Sequence, residues 1–111
     1  MVKKIKAIHP GEILMKEFLI PLKLSQYKLA KDINVPAIRI NEIVHESRAV
    51  SADTALRLAK YFGTSAQFWL NLQGQYDLAI ESDKISNDLK YNVKIFQIEK
   101  KSIKEQIELN N

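Results

Sequence analysis

The chain has 111 residues, which allows one domain with a single core and leaves little room for a second independent unit. It contains no cysteine, so disulfides and thiolate metal sites are excluded, and no apolar run approaches the ~18 residues of a membrane span. The net charge is +4, and residues 1–80 hold 11 Lys+Arg against 7 Asp+Glu while the remainder holds 6 against 6, so the excess sits in the N-terminal part and favours a polyanionic partner.

The N-terminus, Met1 to Lys6, is basic but lacks the apolar block and small-residue cleavage site of a signal peptide, so a cytoplasmic location is expected. Pro10 and Glu12 suit the first turn of a helix, where a fixed φ and a negative charge are both favourable. Leu14, Phe18 and Leu22 recur every four residues, which predicts an amphipathic helix ending around Pro21, because the residue before a proline avoids the helical region. Ser25 is a candidate N-cap, and Leu29, Ala30 and Ile33 form the narrow apolar stripe of a short second helix. Asn34 tolerates the left-handed conformation, and Pro36 suits the first position of a third helix. That helix turns Ile40, Ile43 and Val44 to the core and leaves Ala37, Arg39, Asn41 and Glu42 on other faces. Residues 25–45 thus read helix, tight turn, helix.

Ser51 caps a fourth helix with Ala55, Leu56, Ala59 and Phe62 on its inner face, and Gly63 closes it. A fifth begins after Thr64-Ser65 and places Phe68, Trp69, Leu72, Tyr76 and Ala79 at helical spacing despite Gly74. Beyond Asp83, Tyr91, Val93 and Ile95 alternate with polar residues as a short strand does, and Ser102 with Glu105 forms a candidate capping box. The expected fold is all-α: a five-helix domain over residues 8–82, with residues 83–111 as an arm for dimerisation or partner contact, or a partly disordered tail.

Two short helices joined by a tight turn form the arrangement in which the second can enter a DNA major groove. Leu24-Ser25-Gln26-Tyr27-Lys28-Leu29-Ala30 resembles the second helix of phage-repressor-type (XRE) helix-turn-helix domains. His9-Pro10-Gly11-Glu12, Arg39-Ile40-Asn41-Glu42-Ile43-Val44, Ala52-Asp53-Thr54-Ala55-Leu56-Arg57-Leu58-Ala59 and Phe68-Trp69-Leu70-Asn71-Leu72-Gln73 together resemble the HigA (VapI-like) antitoxin family. The resemblance covers about residues 8–80, and four blocks in order make it specific. It implies a lambda-repressor-like domain that acts as a homodimer on a palindromic double-stranded operator, with a RelE-like messenger-RNA interferase toxin as partner. The chain departs from the family pattern at Asn34, where glycine is common, and at Glu46-Ser47-Arg48, where Gly-Lys-Arg is common.

Arg39 is the foremost candidate base reader, since a guanidinium can donate two bonds to guanine and the matching family position faces the groove; the plain alternative is a surface ion pair with Glu42 or Asp32. Ala37 and Ile38 could touch a thymine methyl, although Ile38 could equally pack in the core. Glu42 completes the base-facing set, by shaping the surface or rejecting certain bases. Ser25 and Gln26 are placed to meet phosphate at a helix N-terminus, where Ser25 also serves as a cap, and Asn41 and Arg48 are further backbone candidates. Lys3, Lys4 and Lys6 form either a basic arm or a solubilising tail. The spacing of Trp69 and its aromatic neighbours marks them as core. His9 and His45 have no second ligand at metal spacing, and no catalytic constellation presents itself, so neither cofactor nor enzymatic activity is expected.

The function expected is a sequence-specific repressor that autoregulates its operon and neutralises a toxin, with no membrane association. The alternative is a protein-interaction module, or a stand-alone regulator without a cognate toxin.

Overall fold

The computed structural model describes residues 6–98, whose regular structure is helical with no strand among them. The order is α1 (Pro10–Ile13), a π-helical segment (Leu14–Leu19), α2 (Gln26–Asp32), α3 (Ala37–Val44), α4 (Ala52–Phe62), α5 (Ala66–Lys84) and α6 (Ser86–Asn92).

Most of the starts are set by side-chain caps that satisfy otherwise unpaired N–H groups. Ser25, Ser51 and Ser65 accept from the backbone of Lys28, Thr54 and Phe68 at 3.0, 3.3 and 3.0 Å. His9 caps α1, its Nδ1 accepting from Gly11 N at 2.9 Å. Pro36 lies one position earlier than expected, as the N-cap of α3 itself, and contributes no side-chain bond. Four turns that end helices before α5 are set by left-handed residues: Lys23, Asn34 and Glu46 have φ of 54, 60 and 64°, and Gly63 has 75°. After each of the first three, the next N–H reaches back to a carbonyl five residues earlier, Leu24 to Leu19, Val35 to Ala30 and Ser47 to Glu42, closing a Schellman motif. Asn34 is a residue that accepts this conformation readily; Lys23 and Glu46 adopt it at a local cost of roughly 1–2 kcal/mol each.

The core runs through Leu14, Leu19, Leu29, Ile40, Ile43, Leu58 and Trp69, all buried. Phe18 stacks at 4.7 Å from Phe62 and 5.1 Å from Trp69, and Trp69 Nε1 donates to Thr64 Oγ1 at 2.8 Å, so the indole is packed with its one polar atom satisfied. Gln73 is also buried; its Oε1 accepts from Val50 N at 2.8 Å and its Nε2 donates to Asp77 Oδ1 at 2.9 Å, which pins the loop before α4 onto α5.

Three further sequence expectations fail for identifiable reasons. The first helix does not stop at Pro21: Ile20 keeps helical angles, and the turn continues until Lys23 turns left-handed, because packing of Phe18 and Leu19 outweighs the pre-proline bias. Leu56 is 63% exposed, since α4 buries the face carrying Ala55 and Leu58 and takes in Thr54 instead. The alternation at Tyr91, Val93 and Ile95 does not make a strand: Tyr91 lies in α6, residues 93–98 have no regular structure, and no neighbouring strand is present among the described residues to pair their backbone. The Ser102–Glu105 capping box lies outside the described residues.

α1 is set directly on the C-terminal end of α3. A Cβ on Gly11 would fall 1.8 Å from the Ile43 carbonyl oxygen, so only glycine permits this approach. Beside it, the buried His9 ring meets Tyr76 edge-on at 4.8 Å. Gly11→Ala should therefore destabilise the fold by about 2–3 kcal/mol in a urea titration, through overpacking against backbone that cannot yield. Burial holds the His9 pKa below its ordinary 6.5, against the raising influence of Glu46, Asp77 and a hydrogen bond to the Arg48 backbone. The folded state thus favours the neutral ring, and the stability this contributes is present above 6.5 and lost as pH falls through the folded-state value. Thermal melts from about pH 7.5 to about pH 5 should show a falling Tm that flattens in His9→Asn, which keeps a capping acceptor but no titrating group.

Candidate nucleic-acid interface

The α2–turn–α3 unit is held by backbone geometry first. Asn34 ends α2, Val35 N closes onto Ala30 O at 3.0 Å, and Pro36 starts α3 with extended angles, so the two helix directions are fixed within four residues. Ile40 and Ile43 then anchor α3 in the core, while the opposite side presents Ile38, 58% exposed, together with Asn41 and His45. His45 Nδ1 bonds back to the Asn41 carbonyl at 2.6 Å, within its own helix.

A charged network connects α3 to α4 and to the turn. Arg39 Nη1 donates to Asp53 Oδ2 at 2.6 Å and lies 3.5 Å from Thr54 Oγ1. The same Asp53 oxygen accepts from Arg57 Nε at 3.0 Å. Arg57 Nη1 in turn donates to the carbonyls of Ile33 and Asn34, at 2.9 and 3.3 Å, so it caps the end of α2 from the side. Hydrogen bonds from Arg57 and then Arg39 hold the Asp53 carboxyl below its ordinary pKa. Further along, Tyr61 donates a short hydrogen bond to Asp32, which lowers the Asp32 pKa and raises that of the phenol. α4 therefore grips α2 and its turn through two polar bridges, and one of them ends on Arg39.

The sequence-derived residues distribute unevenly over this surface. Ile38 and Asn41 are exposed on α3, Ala37 is half-buried against the core, and Arg39 is half-buried with its guanidinium on Asp53 rather than on Glu42 or Asp32. Glu42 is instead paired with Arg48, at 2.8 Å to Nε and 2.7 Å to Nη2, so two of the candidate residues neutralise each other. Ser25 is a working N-cap, and Gln26 follows it half-buried at the first position of α2. Lys6 is exposed; Lys3 and Lys4 lie outside the described residues. Asp53, Thr54 and Arg57 were absent from the sequence-derived set. The Asp53–Arg57 spacing of four residues was a legible helix pair, but its link to Arg39, fourteen positions away from Asp53, was not. Among the described residues, no three His, Asp or Glu side chains gather as metal ligands, and no helix is long and apolar enough to cross a membrane.

The fold and sequence recur in known proteins. A helix-turn-helix family profile matches residues 15–69. Virulence-associated protein I of Dichelobacter nodosus is 59% identical over 81 residues, covering 72% of this chain and 75% of that protein. Among solved structures, Pseudomonas aeruginosa antitoxin HigA with the higBA promoter superposes with a TM-score of 0.80 at 43% identity, over 83% of this chain and 100% of the other. Antitoxin GraA in complex with its operator matches with a TM-score of 0.80 at 35% identity, over 88% and 99% of the two chains. These likenesses place the chain in the HigA (VapI-like) family of helix-turn-helix antitoxins.

Proposed function

We propose that this chain is a sequence-specific DNA-binding repressor, the antitoxin of a HigBA-type toxin–antitoxin pair, and that it acts by binding and not by catalysis. The observation that carries this reading is the outer face of α3: Ile38 and Asn41 project from a helix whose other side is locked into the core, on a unit rigidly tied to α2. Relatives of the same fold are solved with their promoter or operator. In this reading Ile38 and Ala37 meet thymine methyls, Arg39 reads guanine, and Glu42 shapes the base-facing edge. Ser25, Gln26 and Asn41 contact the DNA backbone, as does Arg48 once it exchanges Glu42 for phosphate.

Operator binding would use a homodimer with two α3 helices about 34 Å apart in successive major grooves of a palindrome. Leu78, Leu89, Tyr91 and Val93, exposed along the end of α5 and beyond, offer apolar surface for the second copy. A RelE-like toxin is the expected protein partner, on the strength of the antitoxin family, and the cytoplasm is the expected compartment. The Glu42–Arg48 pair and the exposed Glu46 favour a second reading, in which DNA affinity is weak and the chain serves chiefly as a protein-interaction module.

Fluorescence-anisotropy titration of the DNA immediately upstream of this chain's gene separates the two. Specific binding should weaken steeply between about 50 and 200 mM salt, as expected when phosphate contacts release counterions. Arg39→Ala should cost about 1–3 kcal/mol on that DNA, and Asn41→Ala should weaken all duplexes alike. Binding no stronger than to a scrambled duplex would remove the repressor reading and leave the interaction module.

A further inference from the structure

Asp53 occupies the first turn of α4, yet its carboxylate is turned to the reading helix. One oxygen, Oδ2, accepts from Arg39 at 2.6 Å and from Arg57 at 3.0 Å, and Arg57 is itself anchored on the Ile33 and Asn34 carbonyls. Arg39 is thereby referenced to the backbone of the turn, through two side chains, before any partner arrives. Both Arg39 contacts run through Nη1, and a guanidinium has five donors in a rigid plane, so the Nε–Nη2 edge is oriented by a bond it does not itself make. The Arg39 side chain is 27% exposed and Asp53 54% exposed, so the pair is open to a ligand from the α3 side.

We propose that Asp53 is a specificity-determining positioning residue: its carboxylate aims the Arg39 guanidinium at a base edge and withholds the arginine's charge from phosphate. This rests on the reading of α3 as the DNA-reading helix. Attraction between an arginine and phosphate is independent of sequence, whereas a bidentate bond to guanine O6 and N7 depends on the plane of the donor. A carboxylate fixed beside Arg39 weakens the first and pre-orders the second. It therefore lowers affinity for random DNA more than affinity for the operator, and its effect is on their ratio. The downward pull of both arginines on the Asp53 pKa keeps the carboxylate charged at neutral pH.

The test uses the full chain with two labelled duplexes, one from immediately upstream of its gene and one scrambled to the same composition. Asp53→Asn keeps the shape and removes the charge. The expected result is tighter binding to the scrambled duplex, a steeper salt dependence, and a roughly tenfold fall in the ratio of operator to scrambled affinity. Arg39→Ala should lower that ratio in the native background and add little to it in Asp53→Asn. Asp53→Glu retains the charge and the favourable position at a helix N-terminus but displaces the carboxylate by a methylene; it should melt with the native protein and still lose specificity. Should Asp53→Asn weaken both duplexes in parallel, or Asp53→Glu leave the ratio intact, Asp53 is only a structural element of α4 and the proposal is overturned. If Arg39→Ala lowers the ratio and Asp53→Asn does not, this inference alone falls; if Arg39→Ala leaves the ratio unchanged, base reading by Arg39 falls with it.

Discussion

The approach of Gly11 to the Ile43 carbonyl is the contact on which the placement of α3 depends. Backbone meets backbone there without an intervening side chain, so the distance between α1 and the end of α3 has almost no freedom. The residues around that contact serve it in different ways. Pro10 opens α1 with the required φ, His9 caps it and fills the space against Tyr76, and Glu46 turns the chain away from α3 in a left-handed conformation. Ile40 and Ile43 are then buried in the same close-packed core as Trp69 and Leu58, which restricts how α3 can turn.

The opposite end of α3 is held by charge. Arg39, Asp53 and Arg57 form a partly exposed network, and ion pairs open to water contribute little to stability because water solvates their partners nearly as well. Their consequence here is geometric. A carboxylate shared by two guanidiniums, one of them bonded to the backbone of the α2–α3 turn, sets the orientation of a side chain on the outer face. The Glu42–Arg48 pair acts differently, since it joins an α3 residue to the following loop and cancels a positive charge near the same face. The face of α3 proposed to meet DNA is therefore less basic than the net charge of the chain implies.

How far the fold could be read in advance varied with the kind of signal. α4 was legible because a serine cap, an apolar stripe and a terminal glycine agree over a short span, and the structure returns Ser51, Ala55 and Gly63 in those roles. The α2–α3 turn was legible because Asn34 has few conformational alternatives that also end a helix. Leu56 was misplaced because hydrophobicity alone cannot distinguish adjacent positions at the border of an apolar stripe, and the buried Thr54 took the place beside the core. The alternation near Tyr91 was misread because a two-residue period has meaning only where a second strand exists to pair with it. On the candidate surface, the position of α3 was legible and the partners of its charges were not: the ion-pair alternatives for Arg39 were Glu42 and Asp32, both nearer in sequence than Asp53.

Caps, breakers and apolar spacing are local, so the sequence by itself determined an all-helical domain, the position of its helix-turn-helix and the family to which its motifs point. Contacts between residues far apart in the chain decided the rest: the Gly11–Ile43 approach, the burial of Gln73 against Val50, and the choice of Asp53 as the partner of Arg39. Those contacts depend on how helices cross in three dimensions, and the crossing is set by the shape of the whole packed core, which no local stretch of sequence contains.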